Sequence, residues 1–245
     1  MKIARGVEML KISADVMGKP STIHPALIWD SETTILVDTG FPGQLPLIRE
    51  AIEKAGFTFL KLNKIIITHH DMDHIGSLSS LVKELPEGIE VLAHLEEKPY
   101  IQGEKRPIKM AQLEARLDSL PDEMKARFKN FKANFENLKT RVDKTLADGE
   151  ELPCCGGITV IHTPGHTPGH ICLYLKQSKT LIGGDALFVE SGMLVQAPPS
   201  YNFDTDLSIK SIKKLTKYDI ETVICYHGGL YKENVNQRIA ELANG

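Results

Sequence analysis

The stretch Lys64-Ile65-Ile66-Ile67-Thr68-His69-His70-Asp71-Met72-Asp73-His74 decides how this chain reads. An apolar run of strand character ends in a turn that holds three imidazoles and two carboxylates. On an extended segment, side chains two apart share a face, which places His69, Asp71 and Asp73 on one side and His70 on the other. Groups packed this densely repel or desolvate one another unless a positive charge sits between them. A divalent metal ion is the simplest such charge.

Three further patches have the same character. Thr163-Pro164-Gly165-His166-Thr167-Pro168-Gly169-His170 puts histidines in a Gly/Pro loop after a β-rich segment. Gly183-Gly184-Asp185 places a carboxylate just past the run Thr180-Leu181-Ile182, and Cys225-Tyr226-His227-Gly228-Gly229 does the same with a histidine. Each patch follows the C-terminal end of a predicted strand, where α/β sheets gather their ligands.

Around these patches the chain reads as alternating strands and helices. Strands are predicted over 21–30, 33–38, 64–67, 90–93, 158–161, 170–175, 180–182 and 222–226, and helices over 45–55, 75–85, 207–215 and 232–242. Residues 95–150 differ, being rich in charge and without β-branched clusters. From Met110 the apolar positions Leu113, Leu117, Leu120, Met124, Phe128, Phe131, Phe135, Leu138, Val142 and Leu146 recur every three or four residues, which predicts one or two amphipathic helices broken near Pro121. Such a stripe can pack on the body of the protein, close over a site as a lid, or form a homodimer surface. The whole of 1–245 is expected to be one domain, with 95–150 as a helical insertion.

Composition narrows the class. With 42% hydrophobic residues, 245 residues can bury a large core, and a net charge of −3 gives no reason to expect nucleic acid or an anionic membrane surface. No apolar run is long enough for a transmembrane helix, and the N-terminus lacks a signal-peptide pattern, so a cytoplasmic protein acting on a small molecule is expected. Cys154, Cys155, Cys172 and Cys225 form no C-x-x-C pair and read as small hydrophobes, with Cys225 notable for lying two residues before His227.

Together, the Val37-Asp38-Thr39-Gly40 turn, the histidine cluster, the Pro-Gly-His loop, Gly184-Asp185 and His227 follow the motif order of the metallo-β-lactamase superfamily, which this chain resembles from Asp38 to His227. The resemblance implies an α/β (α+β) fold, a four-layer αββα sandwich, and a metal-dependent hydrolase. It implies two divalent ions per chain. His69, Asp71 and His166 would hold the first, and Asp73, His74 and His227 the second. Asp185 would bridge the two. A water held between the ions would be the nucleophile, with Asp73 as the catalytic carboxylate that orients it or passes its proton on. Asp38 and His170 would support the ligands from behind.

Asp71 departs from the family's commonest His-x-His-x-Asp-His pattern, in which a histidine stands there. The family points first to Zn²⁺, and the added carboxylate also admits Mn²⁺ or Fe²⁺. His24, His70, His94 and His162 read as structural, and Phe188 as a pocket wall or core residue. Lys98, Tyr100, Lys105 and Arg106, ahead of the insertion helices, can either meet an anionic substrate group or form a solvated loop.

The reaction expected is attack of water on a small ester, lactone, thioester or phosphoester. The alternative is an iron-dependent oxidoreductase of the same fold, similar to persulfide dioxygenases. Lactamases with a cysteine ligand carry it where Asp185 stands, and homoserine-lactone lactonases carry tyrosine where Phe188 stands. Glyoxalase II enzymes share the Pro-Gly-His pattern but continue into a helical glutathione-binding region, whereas this chain ends soon after His227.

Overall fold

The computed structural model describes residues 1–16 and 18–244, with the side chains of 123, 124, 127, 130, 131, 133 and 134 outside the description. Its frame is a pair of sheets. The first has seven strands in the order Lys2–Ala4, Val7–Met9, Ala26–Trp29, Thr34–Val37, Lys64–Ile67, Glu90–His94, Lys144–Leu146. The last four of these pair in parallel. The second sheet has six strands in the order Glu151–Leu152, Ile158–His162, Ile171–Leu175, Thr180–Ile182, Thr222–Cys225, Gly229–Tyr231. Two hairpins stand apart from them, Ile12–Val16 with Lys19–Ile23 and Leu187–Glu190 with Met193–Gln196.

Strand alternation builds the layers. Ile66 turns inward and joins Ile28, Ile35, Val37 and Leu92 against Val160, Ile171, Leu173 and Ile224 of the other sheet. Its neighbours Ile65 and Ile67 turn outward, onto Ile48 and Ile52 of the helix Leu45–Lys54 and Leu78 and Leu81 of the helix Leu78–Glu84. The outer face of the second sheet packs Cys172, Leu181, Val223 and Cys225 on Ile212, Leu215 and Ile239 of the helices Thr205–Leu215 and Val235–Asn244. The result is helix, sheet, sheet, helix. Each buried aliphatic side chain in such a face contributes about 1.5–3 kcal/mol to folding.

Several expectations on local structure are corrected. The segment 21–30 is two strands, parted at His24-Pro25, because proline supplies no N–H for a continuous ladder. The helix expected over 75–85 starts at Met72 and is interrupted at Gly76-Ser77. The insertion is helical only through Leu138, with helices Lys98–Ile101, Ile108–Glu114 and Asp122–Phe135. Leu146, taken as the end of the helical stripe, lies on the edge strand Lys144–Leu146 and is buried between the sheets. Its spacing from Val142 fits a helix, and pairing with Glu90–His94 overrides it. Of the remaining stripe, Met110, Phe128, Phe135 and Leu138 form a small core of their own, with Leu113 and Leu117 against it. The side chains of Met124 and Phe131 lie outside the described residues.

Candidate metal centre

All the ligand-type residues expected from sequence converge at one end of the sandwich. The extended backbone of His69 and Asp71 ends where the helix Met72–Ile75 begins, with Asp71 at its N-cap position. Asp73 therefore reaches the site from the first helical turn rather than by strand alternation, and it joins His74 and His227 instead of His69 and Asp71. Three overlapping groups result: His69, Asp71 and His166; His69, His74 and Asp185; Asp73, His74 and His227. Within each group the ligand atoms all lie within 4.8 Å of one another. Asp185 lies between the outer two, with Oδ1 3.3 Å from His74 Nε2 and Oδ2 3.5 Å from His166 Nε2 and 3.4 Å from His227 Nε2.

Buried hydrogen bonds fix which ring nitrogens face this space. Asp38, in a left-handed backbone conformation (φ 64°) after its strand, accepts from Thr68 N at 2.9 Å, Thr68 Oγ1 at 2.8 Å and His74 Nδ1 at 2.9 Å. The Thr68 hydroxyl spends its single hydrogen on Asp38, so it accepts from His69 Nδ1 at 3.1 Å. Both imidazoles thus carry the proton on Nδ1 and turn a lone pair outward at Nε2. His69 Nε2, His74 Nε2 and Asp185 Oδ1 are buried without a hydrogen-bond partner. Buried acceptors left this way are costly, and a shared divalent cation satisfies all three at once. The donor set of imidazole and carboxylate fits Zn²⁺, Mn²⁺ or Fe²⁺.

Charge reinforces the fit. Burial opposes protonation of His74, yet Asp38, Asp185 and Asp73 hold its pKa well above the ordinary value. His227 behaves alike: burial lowers its pKa, and Asp185 and Asp73 bring it up to about 9. Burial works against the Asp71 carboxylate, but the hydrogen bond from His166 and the nearness of the His69 ring keep its pKa well below the usual range. A field that favours a proton on these rings also favours a divalent cation among them.

His170 lies behind Asp185. Burial pushes its pKa down to about 3, so the ring is neutral, and its Nε2 accepts from Asp185 N at 2.9 Å while Nδ1 faces Thr163 Oγ1 at 2.8 Å. Glycine is required alongside: a Cβ on Gly184 would stand 2.6 Å from that same Nε2, and one on Gly165 would stand 2.4 Å from Ser208 Cα.

Three residues escape the sequence reading, Glu97, Tyr226 and Lys109. Glu97 is fully buried and accepts from His70 N at 2.8 Å, Thr167 Oγ1 at 2.7 Å and Gly169 N at 2.8 Å, and it also bonds His70 Nδ1. It ties the His69–His74 loop to the Pro-Gly-His loop. Burial resists its charge, and His70 keeps its pKa low. Tyr226 donates its hydroxyl to Asp73 O at 2.5 Å and accepts from Gly40 N at 3.1 Å, anchoring the short helix.

The metal groups open on a cavity of about 530 Å³, walled on its apolar side by Ile108, Phe188, Tyr201 and Phe203. Phe188 is thus a wall, its ring 4.9 Å from that of His227. Lys98, Tyr100, Lys105 and Arg106 are not among the lining residues, which corrects one alternative above. Tyr100 stacks on His70 at 4.2 Å, Lys105 Nζ lies 5.6 Å from the Tyr100 ring, and Arg106 pairs with Glu114 at 2.8 Å. The cation at the cavity is Lys109, whose Nζ bonds Asp71 Oδ2 and lies 3.2 Å from His166 Nε2. Among the other histidines, His24 Nδ1 faces Tyr226 O at 3.2 Å, and His94 stacks on His162 at 4.0 Å.

This fold and this ligand set define a class. The chain belongs to the metallo-beta-lactamase superfamily, whose family model matches residues 19–227, and it is a hydrolase of that fold. Membership implies binding of divalent metal. Over 228 residues it is 31% identical to "Probable metallo-hydrolase YflN" of Bacillus subtilis (strain 168), an alignment covering 86% of this chain and 81% of that one. It is 28% identical over 211 residues to the hydroxyacylglutathione hydrolase GloC of Haemophilus influenzae, covering 83% of this chain and 84% of that one. The chain spans 84% of that relative but 61% of the hydroxyacylglutathione hydrolase of Rhizobium etli, so length by itself does not set such enzymes aside. A metallo-beta-lactamase family protein from Thermus thermophilus superposes with a TM-score of 0.76 at 24% identity, over 98% of this chain and 79% of that one, a likeness of fold. No helix among the described residues is long and apolar enough to cross a membrane.

Proposed function

We propose that the chain uses a dinuclear centre to hydrolyse a small-molecule ester, lactone, thioester or phosphoester, with thioesters foremost. The observation that carries this reading is the place of Asp185, within 3.5 Å of imidazoles on both sides of the site. A carboxylate so placed suits two ions, one held by His69, Asp71 and His166, the other by Asp73, His74 and His227. Thioesters come first because relatives from Haemophilus influenzae and Rhizobium etli are hydroxyacylglutathione hydrolases.

Bound there, two divalent cations would polarise the scissile carbonyl or phosphoryl and make water a nucleophile near neutral pH. The chain's own groups do the rest. His69 and His74 are held by Thr68 and Asp38 in the tautomer that frees Nε2. Asp73, its side chain 19% exposed at the cavity, takes the proton of the attacking water and returns it to the departing oxygen or sulfur. Phe188 and Ile108 keep bulk water from the acyl group.

The test is a panel of thioesters, esters, lactones and phosphodiesters assayed with Zn²⁺, Mn²⁺ and Fe²⁺. Metal-dependent hydrolysis of at least one class, lost on chelation and restored by metal, is expected. Oxygen consumption on persulfides with one iron per chain, and no hydrolysis, would favour the dioxygenase alternative and overturn this reading.

A further inference from the structure

The cavity is lined by four carboxylates, Asp71, Asp73, Asp185 and Glu190, and among its described lining residues by a single ammonium, Lys109. Lys109 lies on the insertion helix Ile108–Glu114, and its side chain is 44% exposed. Its Nζ is seated on Asp71 Oδ2 and beside His166 Nε2, two atoms of the His69, Asp71 and His166 group. An ammonium and a divalent cation cannot share those atoms, because their like charges repel within the same few ångströms. A metal at this group would turn Lys109 away. Its four-carbon stem lets the head move, and the cavity is where it can go: the Tyr201 ring, 5.8 Å from Nζ, already offers a face to it.

The cavity beside the ammonium is walled in part by aromatic residues. Phe188 is buried there, while Tyr201 and Phe203 are 51% and 53% exposed, large aromatic surfaces left open beside the metal groups. A cavity that brings together metal ligands, an ammonium and aromatic rings is complementary to a substrate with a short apolar body and an anionic end. We propose that Lys109 is a specificity residue of this hydrolase, binding a carboxylate group of the substrate that stands a few bonds from the scissile acyl carbon. The proposal rests on the hydrolase reading given above and adds the substrate's charge to it.

Two matched esters test it, 4-nitrophenyl butyrate and mono-4-nitrophenyl succinate, which differ by a carboxylate in place of a methyl. Zinc-loaded wild type, Lys109→Met and Lys109→Arg are compared at equal zinc content. In Lys109→Met the succinate ester's KM is expected to rise about tenfold, with kcat changing less, so that the charged-to-neutral ratio of kcat/KM falls about tenfold. Lys109→Arg should recover most of that ratio. A ratio unchanged within about twofold overturns the proposal. Calorimetric binding of succinate itself to the zinc-loaded proteins is read independently of turnover. Weaker binding by Lys109→Met is expected, and equal affinity, or no binding by the wild type, overturns the assignment. Should wild type hydrolyse neither ester nor any thioester, the hydrolase reading fails, and the succinate titration alone decides the role of Lys109.

Discussion

Asp38 and Glu97 hold their surroundings differently from Lys109. Around the two carboxylates every partner is buried: Thr68 and His74 for Asp38, and His70, Thr167 and Gly169 for Glu97. These bonds leave the ligand loops one arrangement, and with it one set of outward lone pairs. Lys109 instead rides on an insertion fastened by exposed pairs, Arg106 and Lys132 on Glu114 at 2.8 and 2.5 Å, and by the small core of Met110, Phe128, Phe135 and Leu138. Exposed pairs of this kind contribute about 0–1 kcal/mol each, so the insertion can adjust where the ligand loops cannot. On the proposed reading, the ligand loops would set the chemistry and the insertion would set what is bound.

Substitution in each region should separate the two roles. The largest effect is expected of Asp185→Ala, which removes the carboxylate between the groups. It should lower kcat/KM by about a thousandfold and reduce bound metal, checked by steady-state kinetics and metal content. Activity near that of wild type would show that the ligand loops do not act as one unit. Next, Glu97→Ala leaves His70 and two buried donors unpaired, and should cost about 3–5 kcal/mol of stability in denaturant unfolding. By contrast Phe128→Ala, in the insertion's own core, should cost about 3 kcal/mol or less and change KM more than kcat. If Phe128→Ala strips metal as Asp185→Ala does, the division between the regions is lost.

The smallest effect concerns pH. His94, at the end of its strand and at the root of the insertion, has its pKa lowered to about 4 by burial and then by His162. Its unfolded value is about 6.5, so between those values the unfolded chain binds a proton that the native state does not. The stability involved is present above about pH 6.5 and is lost as pH falls toward 4. Thermal melts at pH 7.5 and 5 should therefore differ more for wild type than for His94→Gln. Equal differences would show that His94 does not titrate in this way.

The site was legible in sequence where it is made of scarce residue types in fixed places. Histidines and aspartates directly after apolar runs mark strand ends, so His69, Asp71, His166, Asp185 and His227 stand out in the sequence alone. Glu97 does not. In Leu95-Glu96-Glu97 it looks like solvated charge, and only the packing of two distant loops around it reveals a buried carboxylate. Lys109 carries no signal for a related reason, since one lysine among the charges of 95–150 makes no pattern. In the fold, three-residue strands such as Lys2–Ala4 and Lys144–Leu146 are too short to show a period of two, and pairing defines them, with the neighbouring Val7–Met9 for the first and the distant Glu90–His94 for the second.

Metal content bears most directly on the central claim, that one set of strand-end ligands forms a two-ion centre bridged by Asp185. The protein is purified without added metal, reloaded, and freed of excess ion before elemental analysis. Close to two divalent ions per chain are expected for wild type and at most about one for Asp185→Ala, given that each ion takes three or four protein ligands. A single ion in saturated wild type, unchanged by loss of Asp185, would contradict the account.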